Sequence, residues 1–304
     1  MEESKEAGLC YDFLNDRYLA AMGDCPDITA AFYDGDWTKN YEKAQSDKHD
    51  WILKGIDFES RHRVLDIGCG WGPMLRKIKN EGGYETGLTV SKRQFDYCRE
   101  KGLNAYLQDW KETDSRQFGI FDEVISVGAF EHFCSGQEYL DGKQDEIYKN
   151  FFKFCSNVLK DNGKIFLQTM IWGYKVPEPD KDFDLNAQKG SDERIRAKIL
   201  SLSSWWPPKS KEQVVRAAEP HFELIESNNG REDYIKTFRE VYLSYEKTWR
   251  GNFLSGVGDY LRCLVDSDFK RYFRHFGEVV REKLFREAFI SHVLDHERMF
   301  FRKK

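Results

Sequence analysis

Between Arg63 and Met170 short apolar runs alternate with amphipathic stretches, and that rhythm leaves few folds open. The apolar runs read as strands at Arg63–Ile67, Tyr84–Val90, Leu103–Leu107, Phe121–Val127 and Lys164–Ile171. Helical patterns fill the gaps at Gly72–Asn80, Ser91–Lys101 and Lys143–Leu159. Each helix carries the chain back to begin the next strand in the same direction, so a largely parallel sheet is expected. The turn Lys160-Asp-Asn-Gly163 is expected to stop the third helix, with Gly163 as its terminator. A helix at Lys209–Glu219 then leads into a strand at Phe222–Ser227. The alternating tail Val293–Arg302 reads as a last strand, expected to run antiparallel.

Two stretches break the rhythm. Gly173–Pro208 is polar and carries Pro177, Pro179, Pro207 and Pro208, with a short helix near Asp192–Leu200. Arg231–Ala288 is helical and rich in rings, namely Tyr234, Phe238, Tyr242, Tyr245, Trp249, Phe253, Tyr260, Phe269, Tyr272, Phe273 and Phe276. A doubly wound sheet does not need so long a passage before its last strand. It reads as a cap over the carboxyl ends of the strands, where such sheets bind ligands. Helices at Leu9–Met22 and Tyr41–Ile56 would flank the site from before the first strand. The expected organisation is flanking helices at 1–62, a core at 63–172 and an insertion at 173–208. A core helix and strand at 209–228 follow, then a cap at 229–288 and a final core strand at 289–304.

Composition narrows function. The 47 basic and 52 acidic residues give a net charge of −5, which argues against nucleic acid as the partner. Seven scattered cysteines without a Cys-x-x-Cys pair read as reduced thiols, and no usual zinc spacing occurs. The opening Met1-Glu-Glu-Ser-Lys-Glu6 lacks the basic-then-apolar build of a secretory signal, so a cytoplasmic protein is expected.

Val64-Leu-Asp-Ile-Gly-Cys-Gly-Trp-Gly72 carries the chemistry. A buried strand ends with Asp66, glycines follow at 68, 70 and 72, and a helix begins. Glycine lets the chain turn sharply and approach a ligand closely, and the helix start offers unpaired N–H donors. The spacing differs from dinucleotide Gly-x-Gly-x-x-Gly loops and from lysine-bearing phosphate loops.

This stretch resembles motif I of class I S-adenosylmethionine methyltransferases. More narrowly, the chain resembles the cyclopropane fatty acid synthase and mycolic acid cyclopropane synthase family, from about Ala31 to the end. The resemblance continues through Thr86-Gly-Leu-Thr-Val-Ser91 with Gln94, Leu107-Gln-Asp-Trp110, and Phe121-Asp-Glu-Val-Ile-Ser-Val-Gly-Ala-Phe-Glu-His-Phe133. It also takes in Gly163-Lys-Ile-Phe-Leu-Gln-Thr-Met170, Pro220-His-Phe222 and Asp233-Tyr-Ile-Lys-Thr-Phe238. It implies a Rossmann-like α/β methyltransferase sheet with a helical cap. The implied cofactor is S-adenosylmethionine, released as S-adenosylhomocysteine. Asp66, Gly68, Gly70, Gly72, Thr89, Gln94, Asp109, Trp110 and Val127 would hold it. For Trp110 alone, a core ring and a cover for adenine are equally open readings.

The resemblance further implies transfer of a methyl or methylene group to a carbon of an unsaturated acyl chain, with Glu131, His132, Tyr234 and Gln168 at the reacting end. In the family a bicarbonate ion sits there. In this chain the expected cysteine is replaced by Ala30 or Ala31 and the expected histidine by Gln168. Gln cannot titrate near neutrality as His can. Two other readings stay open: methylation of a small natural product or amine, where Glu131 and His132 would orient or deprotonate the amine, and a non-catalytic protein that binds S-adenosylmethionine. A lipid substrate would call for contact with a membrane or acyl carrier, for which Leu9–Met22 is the candidate.

Overall fold

The computed structural model describes residues 2–23, 27–176, 187–202, 206–251 and 262–304. Cys25, Pro177, Pro179, Phe253 and Tyr260 lie outside the described residues, as do the side chains of Trp249, Tyr272 and Phe276.

The strands are β1 (Arg63–Ile67), β2 (Tyr84–Thr89), β3 (Ala105–Leu107), β4 (Phe121–Val127), β5 (Leu159–Trp172), β6 (Phe222–Asn229) and β7 (Leu294–Lys303). They form one sheet in the order β3-β2-β1-β4-β5-β7-β6. The first five are parallel, and β7 runs antiparallel to both β5 and β6. Strand order reverses between β1 and β4, which opens a crevice at their carboxyl ends.

The helices are α1 (Glu2–Met22), α2 (Tyr41–Gly55), α3 (Pro73–Asn80), α4 (Lys92–Glu100), α5 (Gly136–Leu140) and α6 (Gln144–Val158). After β5 come α7 (Asp192–Leu202), α8 (Lys211–Ala218), α9 (Arg231–Gly251), α10 (Ser267–Glu282) and α11 (Leu284–Ile290). None among the described residues is long and apolar enough to cross a membrane.

Successive strand residues point to opposite faces, so both faces must be apolar when helices cover both. Val64, Ile125, Phe166 and Phe300 pack on one face with Ile52 and Leu53 of α2, with Ile56 just past its end, and with Met74 and Ile78 of α3. Their neighbours Leu65, Val124, Ile165, Leu167 and Phe301 pack on the other with Phe151, Phe152 and Cys155 of α6 and with Val214 and Ala217 of α8. Local signals set the boundaries. Asn40, Ser91, Ser135 and Ser210 each accept from a backbone N–H in the first turn of a following helix.

Three expectations need correction. The third strand is shorter than expected, because Leu103 turns into a small core with Cys98 and Leu75 and its N–H bonds Cys98 O. The first helix begins at Glu2 rather than Leu9. At 160–163 the chain has already entered β5, and the left-handed residue is Asn162 (φ 60°), not Gly163. Gly163 is needed for space instead: a Cβ there would lie 2.9 Å from both Asp122 O and Lys160 O.

Candidate active site

The loop after β1 is built on three left-handed glycines, Gly68 (φ 83°), Gly70 (φ 54°) and Gly72 (φ 72°), where any Cβ would strain the backbone. Their surroundings differ. A Cβ at Gly68 would meet Ala129 Cβ at 2.3 Å, and one at Gly72 would meet Leu103 Cδ1 at 2.7 Å, so the protein's own packing demands glycine at both. At Gly70 the nearest atom is Gln94 Nε2 at 3.9 Å, and the bare backbone faces open space. The Gln94 amide is fixed in that direction because its Oε1 accepts from Thr89 Oγ1 at 2.9 Å. Thr89 Oγ1 in turn accepts from Ser91 N at 3.2 Å.

Asp66, just before the loop, is 3% exposed, and its Oδ1 has no hydrogen-bond partner among the described residues. Burial, with the charge of Asp27 nearby, raises its carboxyl to about 8. An orphaned buried carboxyl beside a bare backbone fits a polar ligand that supplies the missing partner. Asp109 caps the one-turn helix Trp110–Glu112 through a 3.0 Å bond from Lys111 N, and burial raises its carboxyl too. The Trp110 ring lies in the aromatic core, with centroids 5.3 Å from Phe133 and 5.4 Å from Phe151. Its Nε1 has no hydrogen-bond partner among the described residues, and the ring also lines a pocket with Thr113, Ile147 and Phe154, so it serves the core while both readings stay open.

Helix α1 crosses the same crevice. Asn15 Oδ1 accepts from Trp71 Nε1 at 2.8 Å, and Asp12 Oδ1 accepts from Ser91 Oγ and Arg93 N. Trp71 also meets Tyr11 and Tyr18 edge to face. None of these partners had a signal in the sequence, because each pairs residues tens of positions apart.

After β4, Gly128 (φ 68°) turns the chain into the one-turn helix Phe130–His132. Phe130 anchors that turn by stacking on Tyr148 of α6 at 4.4 Å. Glu131 is 1% exposed, and its Oε2 accepts from Thr169 Oγ1 at 3.0 Å. Burial raises its carboxyl to about 7, against the opposing pull of Thr169 and of the Glu131 and Met170 N–H groups. His132 Nε2 is hydrogen-bonded to the Tyr11 hydroxyl at 3.1 Å, and burial lowers the imidazole to about 4, so the ring is neutral near pH 7. Tyr234 of α9 packs against Phe238, Phe289 and His296. Burial, then the charge of Glu131, pushes its hydroxyl well above the usual range, which puts the two side chains in one electrostatic neighbourhood.

Val127 and Gln168 are strand partners at this end of the sheet. Gln168 is fully buried: its Nε2 reaches Ala30 O at 3.5 Å, and its Oε1 has no partner among the described residues. Ala30, also fully buried, has no polar side chain. Where the resemblance expects an imidazole and a thiol, these two positions offer a neutral amide that does not titrate and a methyl group. The residues present therefore do not fit a bicarbonate ion held as the resemblance implies.

The segment 27–33 closes over this end and is held by buried charge. Asp27 Oδ2 bonds Lys48 Nζ at 2.8 Å and His49 Nε2 at 2.7 Å. Burial would raise the Asp27 carboxyl, but these two partners outweigh it and hold it below the carboxylate range. Arg298 of β7 donates to Asp233 Oδ2 and to Ala31 O, both at 2.7 Å. Asp233 also accepts from Tyr33 N at 3.1 Å. Four consecutive polar residues inside the last strand, Asp295-His-Glu-Arg298, were the one sequence hint of this clamp.

A family model described as mycolic acid cyclopropane synthetase matches residues 1–293. Cyclopropane mycolic acid synthase 2 of Mycobacterium leprae is 35% identical over 169 residues, 51% of this chain and 48% of that protein. The cyclopropane-fatty-acyl-phospholipid synthase of Escherichia coli is 28% identical over 245 residues, 79% of this chain and 56% of that one. The chain thus spans about half the length of the curated relatives it matches. Among solved structures, mycolic acid cyclopropane synthase CmaA1 complexed with SAH and CTAB superposes with a TM-score of 0.73 at 20% identity, covering 99% of this chain and 97% of that one. That likeness establishes a shared fold.

Proposed function

Because this chain belongs to the mycolic acid cyclopropane synthetase family, we propose that it is an S-adenosylmethionine-dependent methyltransferase acting on a carbon of an unsaturated acyl chain. The observation that carries this reading is the pairing, at one end of the sheet, of an open bare backbone at Gly70 with a buried carboxyl at Glu131. Gly70, the Thr89–Gln94 pair, the orphaned Asp66 oxygen, Asp109 and the backbone at Val127 would hold the cofactor. When bound, its sulfonium supplies a methyl carbon open to attack by an electron-rich acceptor.

The protein's part is placement and electrostatics. Glu131, ionised above about pH 7 and shielded from water, accepts the proton that the methylated carbon centre must lose. The faces of Tyr234 and its ring neighbours favour positive charge built up beside them. His132, neutral and bonded to Tyr11, orients α1 against the Glu131 turn. The same reading has α1, whose Leu9 is exposed, touching a membrane surface from the cytoplasmic side.

A specific observation favours a second reading. The Ala30 and Gln168 positions supply no titratable group to take a proton from carbon, which suits transfer to an amine, where no carbon-bound proton need be removed. The discriminating experiment supplies labelled S-adenosylmethionine with vesicles of cis-unsaturated phospholipid or with small amines. One CH2 gained on the acyl chain supports the first reading, and label on amines alone overturns it. Glu131→Gln is expected to slow turnover roughly 100-fold or more while leaving cofactor affinity within a few-fold. Near wild-type turnover removes Glu131 from the chemistry.

A further inference from the structure

Thr169 sits on β5 next to Gln168 and is fully buried. Its hydroxyl has two acceptors at equal distance, Glu131 Oε2 and Met170 O, each 3.0 Å away. A hydroxyl carries one proton, so it cannot donate to both at once. An ionised carboxylate draws that proton more strongly than a peptide carbonyl does. A protonated carboxyl offers an O–H of its own, which the threonine oxygen can accept while its proton turns to Met170 O. We propose that Thr169 is a positioning residue for Glu131, its hydroxyl turning with the charge of the carboxyl and so setting the pH at which that carboxyl becomes a proton acceptor. This rests on the reading of Glu131 given above and assigns a side chain that controls it.

The Glu131 and Met170 N–H groups also favour the ionised carboxyl, but they belong to the backbone and stay in place, so Thr169 is the side-chain donor that can be exchanged. Tyr11 from α1, Tyr148 from α6 and Tyr234 from α9 face Glu131, and burial raises all three phenols well above the usual range. His132, next in sequence, is held neutral by burial. Across the β5–β7 pair, Thr169 faces Glu297, whose carboxyl is raised by burial and bonded to Asn229. Burial opposes the Glu131 charge, and beside the two backbone N–H groups the threonine hydroxyl is the side-chain donor that favours its ionised form.

The test needs no acceptor substrate. Side-chain carboxyl carbons of glutamate are labelled with carbon-13 and titrated by NMR, and the Glu131 signal is identified as the one missing in Glu131→Gln. Thr169→Val keeps the shape and removes the hydroxyl, so the midpoint is expected to rise by about one pH unit, while Thr169→Ser restores it to within a few tenths. Thr169→Ala serves as the second hydroxyl-free variant. An unmoved midpoint in both hydroxyl-free variants, or a serine variant shifted like valine, overturns the proposal. In the vesicle assay, Thr169→Val is expected to be slow near pH 7 and to recover at higher pH, whereas a packing defect slows it at every pH. If Glu131→Gln retains full turnover, the reading of Glu131 as proton acceptor fails, and the titration still decides whether Thr169 governs its charge.

Discussion

Replacing Glu131 by Gln tests whether the candidate site is held at the expense of stability. A glutamate ordinarily titrates near 4.5, and burial raises Glu131 to about 7. Between those values the folded protein keeps a proton that the unfolded chain has released. This carboxyl's contribution to stability is therefore full below about 4.5 and is lost as pH rises through about 7. At about 1.36 kcal/mol per pH unit, the loss approaches about 3 kcal/mol on the alkaline side. Gln keeps the shape and carries no charge to bury. Unfolding entropy of about 2.1 cal/mol/K per residue gives about 0.6 kcal/mol/K for this chain, so about 3 kcal/mol corresponds to about 5 °C in Tm. Scanning calorimetry of both proteins from acid to mildly alkaline pH is the assay. The two melting curves are expected to coincide below about pH 4.5, to separate progressively up to about pH 7 and to stay apart above it, with the Gln protein the more stable. Other buried acids such as Asp66 and Glu123 are common to both proteins and cancel in the difference. A gap that does not change with pH, or a Gln protein less stable at pH 8, refutes the argument.

Two further predictions concern the framework around the site. Asp233→Leu leaves the fully buried Arg298 guanidinium without its carboxylate and is expected to cost about 3–5 kcal/mol, whereas Asp233→Leu with Arg298→Met should recover much of it. Equal thermal stability of the single and double variants overturns that account. Gly70→Val is expected to keep the fold, as seen by circular dichroism, and to lose S-adenosylmethionine binding by calorimetry. Gly72→Ala, driven into Leu103 and Cys98, should destabilise the protein by more than the roughly 1–2 kcal/mol of left-handed strain alone. Tight binding by the Gly70 variant contradicts the proposed cofactor cleft.

The sequence determined the sheet, because its signals act over short distances. Apolar runs at β1, β2, β4 and β5, the Ser91 and Ser210 caps and the glycine spacing after Asp66 are all properties of windows a few residues long. The same windows place Glu131 past the end of β4 and Gln94 in the first turn of α4. They could not say that Trp110 would pack on Phe133 and Phe151, since those rings arrive from other elements. Nor could they separate the glycine at 70 from those at 68 and 72, whose φ values agree in sign and whose surroundings differ. Only the tertiary structure brought Thr169 to Glu131, Asn15 to Trp71 and Arg298 to Ala31, pairs separated by 38, 56 and 267 positions. Burial comes from the same packing: it lifts Glu131 into the neutral pH range and leaves Asp66 Oδ1 without a partner among the described residues. A hydrogen bond or a desolvated charge depends on what docks against a residue, and that is decided when the helices close over the sheet.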